Sequence, residues 1–132
     1  MHKKHRLPRT LMLSLLLAAS VAMPIHAQAQ SLDSPALVII RFNQPRVYFD
    51  QQLYSAISKA VAIKPEVMFD VVSYAPATGD GETDRKWQAI AGHNTQSVIA
   101  AMKDIGVPMS RINVTGMSQS GIRYDETQVF VR

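Results

Sequence analysis

The sequence predicts a mixed α/β (α+β) domain: a two-layer sandwich in β-α-β-α-β order, with room for one extra short strand and both helices on one face of the sheet. Three observations predict it. Short runs at residues 36–42, 67–73, 111–115 and 128–131 carry β-branched or alternating apolar patterns typical of strands. Two longer stretches between them repeat apolar residues at the helical period of 3.6. Helices with one apolar stripe must bury it on a neighbour, and this order supplies a sheet face, reached by right-handed crossovers.

The N-terminus comes first. Lys3, Lys4, Arg6 and Arg9 form a basic head, an apolar run follows at residues 11–19, and Ala27-Gln28-Ala29 places small residues where a signal peptidase reads. That order predicts a secretory signal peptide over residues 1–29. The apolar run falls short of the roughly 20 residues a membrane-spanning helix needs. The alternative is an uncleaved N-terminal anchor. Cleavage after Ala29 leaves 103 residues, enough for one domain that folds without staples.

Four of the 14 Lys and Arg residues lie in the signal, which leaves ten bases against ten acids and no net charge on the exported part. A nucleic-acid or anionic-membrane footprint needs clustered positive charge, so neither partner is expected. The chain has no cysteine. Disulfides are thereby excluded despite an oxidising destination, and so is a cysteine-linked lipid anchor.

Residues 30–35 read as a polar leader, and residues 36–132 as the folded domain. The run ALVIIRF at 36–42 predicts a strand buried on both faces, with Arg41 near its end and its head in solvent. Asp50 is placed to cap a helix over 50–63 whose apolar face is Leu53, Ile57, Ala60 and Val61. Lys64-Pro65 stops it. Residues 67–73 alternate as a second strand, and 74–83, with Pro76, Gly79 and Gly81, read as a loop. The longest helix is predicted over 84–105, with Trp87, Ile90, Ala91, Asn94, Val98, Met102 and Ile105 on one face. Gly106 suits a left-handed cap, and Pro108 prevents resumption. Strands at 111–115 and 128–131 follow, with Ile112, Val114, Val129 and Val131 turned inward.

The second half resembles a known family. Ile90-Ala91-Gly92-His93-Asn94-Thr95-Gln96-Ser97-Val98 is similar to L-S-x-x-R-A-x-x-V, and Gly106-Val107, Arg111-Ile112 and Gly116 reproduce G-V-x-x-x-R-I-x-x-x-G. These are motifs of the OmpA C-terminal-like, peptidoglycan-associating domain, and the resemblance covers residues 37–132. It implies a periplasmic, cell-envelope setting. Family members grip the diaminopimelate of peptidoglycan with an Asp after the second strand and an Arg on the following helix, a charge-assisted pairing suited to a zwitterion. Here Pro76 falls on the Asp position and Asn94 on the Arg position. The family's N-R-R-V becomes Glu126-Thr127-Gln128-Val129, so Thr127 replaces another Arg. Asp80, Glu82, Asp84, Arg85, Lys86 and Trp87 are the residues available for a relocated site.

Other constellations carry less chemistry. His93 is the sole histidine after the signal and has no cysteine to join it as a zinc ligand. Gly116-Met117-Ser118-Gln119-Ser120-Gly121 departs from the nucleophile elbow G-x-S-x-G at its fifth position and reads as a turn. Asp80, Glu82 and Asp84 lack the closing ligand of a calcium loop and suit a helix N-terminus instead. Trp87 and Tyr74 fit either core packing or the aromatic rim of a groove. The expectation is a non-enzymatic periplasmic module without cofactor or metal. Its partner is an envelope protein, with a degenerate peptidoglycan pocket, or peptidoglycan itself through the relocated site.

Overall fold

In chain order the elements are β1 (Val38–Arg41), α1 (Asp50–Ile63), β2 (Phe69–Pro76), α2 (Gly81–Ile105), a 3-10 turn (Met109–Arg111), β3 (Ile112–Gln119) and β4 (Glu126–Val131). They come from a computed structural model that describes residues 34–132. The signal segment and the leader up to residue 33 lie outside the described residues. Among the described residues no helix is long and apolar enough to cross a membrane.

The strands form one sheet in the order β1-β4-β2-β3. β4 runs antiparallel to both β1 and β2, and β3 runs parallel to β2. Side chains alternate across a strand. One sheet face therefore presents Val38 and Ile40 from β1, Val129 from β4, and Phe69 and Val71 from β2. Leu53, Ile57 and Ala60 of α1 and Val98, Ile99 and Met102 of α2 pack on that face as one core. Both helices thus lie on a single side, as the order predicts.

Local physics explains the element ends and several corrections. β1 is an edge strand buried on alternate residues rather than on both faces. Arg41 ends it with its head largely in solvent, 3.4 Å from Glu126. Asp50 is the first helical residue of α1, not its cap; Phe49 takes the cap position without a side-chain hydrogen bond. Val61 sits outside the buried stripe because α1 meets the sheet over Leu53, Ile57 and Ala60 alone.

The predicted loop at 74–83 shrinks to four residues, since β2 continues to Pro76 and α2 begins at Gly81. Tyr74, Ala75 and Pro76 stay in the strand by pairing with Met117, Ser118 and Gln119 of β3. β4 starts opposite Tyr74, so Pro76 lies beyond its reach and its missing N–H leaves no gap there. Asp80 caps α2 by accepting a 3.0 Å bond from the Thr83 backbone N–H, which moves the helix start forward from Asp84. Gly106 closes the helix at φ 110°, where a side chain would be strained.

β3 extends to Gln119 and absorbs Gly116-Met117-Ser118-Gln119; only Ser120 and Gly121 form the turn. Val114, predicted inward, is exposed because α1 and α2 cover the sheet from β1 to β2 and leave β3 overhanging; Ile90, also predicted inward, is exposed on α2. Val131 is likewise exposed at the last position of β4.

Candidate functional site

The positions matched to the family's ligand-gripping residues lie where β2 and β4 pass under the first half of α2. Pro76 is buried at the end of β2. Asn94 is half-buried on α2, and its side-chain amide donates a 2.9 Å hydrogen bond to the Asp125 carboxylate. Thr127 is fully buried in β4, with its hydroxyl 2.8 Å from that of Thr95. Two hydrogen bonds thus join α2 to the β4 region here, one between hydroxyls and one from an amide to the Asp125 carboxyl. Neither Pro76 nor Asn94 presents a charge.

Asp125 joins this site from the turn before β4 and belongs to no sequence motif. It is 2% exposed just before β4, and burial pushes its carboxyl above the usual aspartate range, opposed by the Asn94 hydrogen bond. No local pattern announces it: an acid one residue before a strand is ordinary loop chemistry until the fold buries it. A carboxyl raised in the folded state lends stability that is whole below the ordinary aspartate value near pH 3.9. That stability is lost as pH rises through the raised value. Asp80 and Asp84 are shifted the opposite way, lowered first by hydrogen bonds from Thr83 and Thr78 respectively. Their contribution is present at neutral pH and lost on acidification. The isosteric Asp125→Asn variant isolates the first effect because both proteins keep Asp80 and Asp84. Its stability relative to the native chain is expected to improve between pH 4 and pH 7, read by urea unfolding at both values. An unchanged difference would remove the buried acid from the account.

The residues available for a relocated site gather at the start of α2, but their carboxylates are held by neighbours in the same turn. Asp84 accepts from both the backbone N–H and the hydroxyl of Thr78 at 2.7 Å. Asp80 accepts from the Thr83 backbone and hydroxyl. Glu82 and Lys86 form an exposed ion pair at 3.6 Å, and Arg85 is exposed. Pairs this open add little stability. Trp87 is half-buried on α2. Tyr74 alternates to the sheet face away from the helices, since Ser73 and Ala75 face α2; the two aromatics do not form one rim. His93 is exposed, and among the described residues no group of three His, Asp or Glu is arranged to hold a metal ion.

Between α2 and the overhanging β3 runs a groove of about 420 Å³, floored by Ser73, Ala75, Val114 and Gly116 and walled by Gly92 and Thr95. Gln88 reaches across it to the Ser118 hydroxyl at 3.2 Å. The signal in the sequence would have been the small residues at 92, 116 and 118 on facing elements, which is legible only once their register is known.

No family model matches the chain, and no curated protein matches it. Solved structures do. One is the OmpA-like domain of FopA1 from Francisella tularensis subsp. tularensis SCHU S4, at a TM-score of 0.56 and 15% identity, covering 70% of each chain. With a four-stranded sheet under two helices and this structural likeness, the chain has the fold of an OmpA-like domain.

Proposed function

We propose that this chain is a non-enzymatic module of the cell envelope, exported to the periplasm, in which an OmpA-like scaffold docks a protein partner and the peptidoglycan pocket is degenerate. One observation carries the reading. At the position where the resemblance calls for a guanidinium, Asn94 spends its amide on the buried Asp125 carboxylate. A ligand carboxylate arriving there would meet a buried acid behind a neutral amide, the wrong electrostatics for an anion. Pro76 supplies no side-chain acceptor for a ligand ammonium. Losing one charge-assisted contact costs about 1.5–3 kcal/mol, so losing both removes a weak binder.

The alternative is peptidoglycan binding through the residues around the start of α2. It has less support, because the carboxylates of Asp80 and Asp84 are already occupied by their own turn. Incubation of the protein with purified sacculi separates the two. The expected result is no retention above that of an unrelated neutral protein. Retention that free diaminopimelate competes away would overturn the docking reading and restore a murein ligand. A lytic assay on the same sacculi is expected to show no turnover.

A further inference from the structure

β3 is the outer strand of the sheet, bonded to β2 on one side, and no described strand pairs with its other side. A free edge is a row of unpaired backbone donors and acceptors, and folded proteins ordinarily blunt it with lysine, proline or a very short strand. Here the edge is eight residues long, INVTGMSQ, with no charge and no proline. Val114 and Met117 on it are each 43% exposed, one on either face. Directly behind the edge lies the groove under α2, and none of its lining residues is charged. A Cβ built on Gly92 or on Gly116 would meet nothing within 4 Å, so the groove is open space on both its helix and its strand side.

We propose that β3 takes up an extended, uncharged segment of a partner protein as a fifth strand, whose alternate side chains enter the groove. The backbone edge supplies the hydrogen bonds and the groove reads every second residue, the division of labour of strand addition. The absence of charge along edge and groove selects a neutral segment with small or medium apolar residues at alternating positions, because a charged side chain would be desolvated there without a partner. A second copy of this chain fits less well. Two such edges would meet along a seam about 26 Å long and one strand thick. That is a small contact beside the roughly 800 Å² per partner of stable interfaces. This inference rests on the partner-docking reading above and names its surface.

The test uses a phage library of random dodecapeptides selected on the purified protein, with binders titrated into isotope-labelled protein. Enriched peptides are expected to be uncharged and apolar at alternate positions. They should shift the backbone amides of Ile112–Gln119 and slow their hydrogen exchange. Gly92→Leu puts a side chain into the groove from a helix position where a Cβ meets no atom within 4 Å, and circular dichroism and the thermal midpoint check that the fold is retained. It is expected to weaken peptide binding at least tenfold. Absence of enriched peptides, shifts confined to other elements, or equal binding by Gly92→Leu would each overturn the proposal. So would sedimentation showing a β3-paired dimer. The sacculus experiment keeps the two claims apart. Competable retention with intact peptide binding at β3 sinks the docking reading and spares the edge. No retention with peptides mapping elsewhere sinks the edge alone.

Discussion

Replacing Phe69 by Ala is expected to destabilise the domain by about 3–5 kcal/mol, the usual range for losing a buried aromatic ring. Phe69 opens β2 on the helix-facing side, is 1% exposed and belongs to the central core. It also borders a surface pocket of about 370 Å³ with Ile57, Val67, Ile105 and Val107. Small domains hold only about 5–15 kcal/mol in total, so a large fraction of the stability disappears. The thermal midpoint should fall by about 12 °C or more. Phe69→Leu keeps most of the volume and is expected to lose much less. Urea unfolding of the three proteins at constant m-value measures it. A loss below about 1 kcal/mol for the alanine variant would mean that the ring is not where the core is built.

The second large effect concerns the hydroxyl pair beneath α2. Thr95 and Thr127 are both buried, and each hydroxyl has the other as partner at 2.8 Å. Removing one hydroxyl strands the other away from water, at a cost of about 1–3 kcal/mol. The two single variants should differ. In Thr127→Val, the surviving Thr95 can turn its hydroxyl back to the carbonyl of Ala91, four residues earlier in the same helix. In Thr95→Val, the surviving Thr127 sits in a strand and has no such local acceptor. Thr95→Val is therefore expected near the upper end of the range and Thr127→Val near the lower. The double valine variant replaces both groups by isosteric methyls and should recover toward native stability, with a coupling of about 0.5–3 kcal/mol. Purely additive costs in the double variant would show that the two threonines do not act as a pair.

How far the sequence reaches can be judged from individual residues. The periodic positions Leu53, Ile57, Val98 and Met102 are buried as their spacing demands, and Gly106 caps α2, because these signals are local and no neighbour overrides them. Val114 and Ile90 satisfy their patterns equally well and are exposed. Periodicity tells which residues share a face; it does not tell whether a second layer extends far enough to cover that face. Pro76 and two glycines signal a loop at 74–83, yet β3 pairs with its first three residues. Long-range partners outweigh local turn preference there. At the candidate site, the departures at Pro76, Asn94 and Thr127 could be read from the motif. Their replacement contacts could not, since Asn94 meets Asp125 across 31 positions of chain and Thr95 meets Thr127 across 32.

The last strand of the chain is an inner strand of the sheet. β4 stands between β1 and β2, which share it as a common neighbour. A chain emerging N-terminus first presents β1, both helices, β2 and β3 before β4. Until β4 arrives, β1 has no neighbour in the sheet. Closing the sheet thus waits on pairings such as Val38 with Val129, far apart in sequence, and non-local pairing is slow to form.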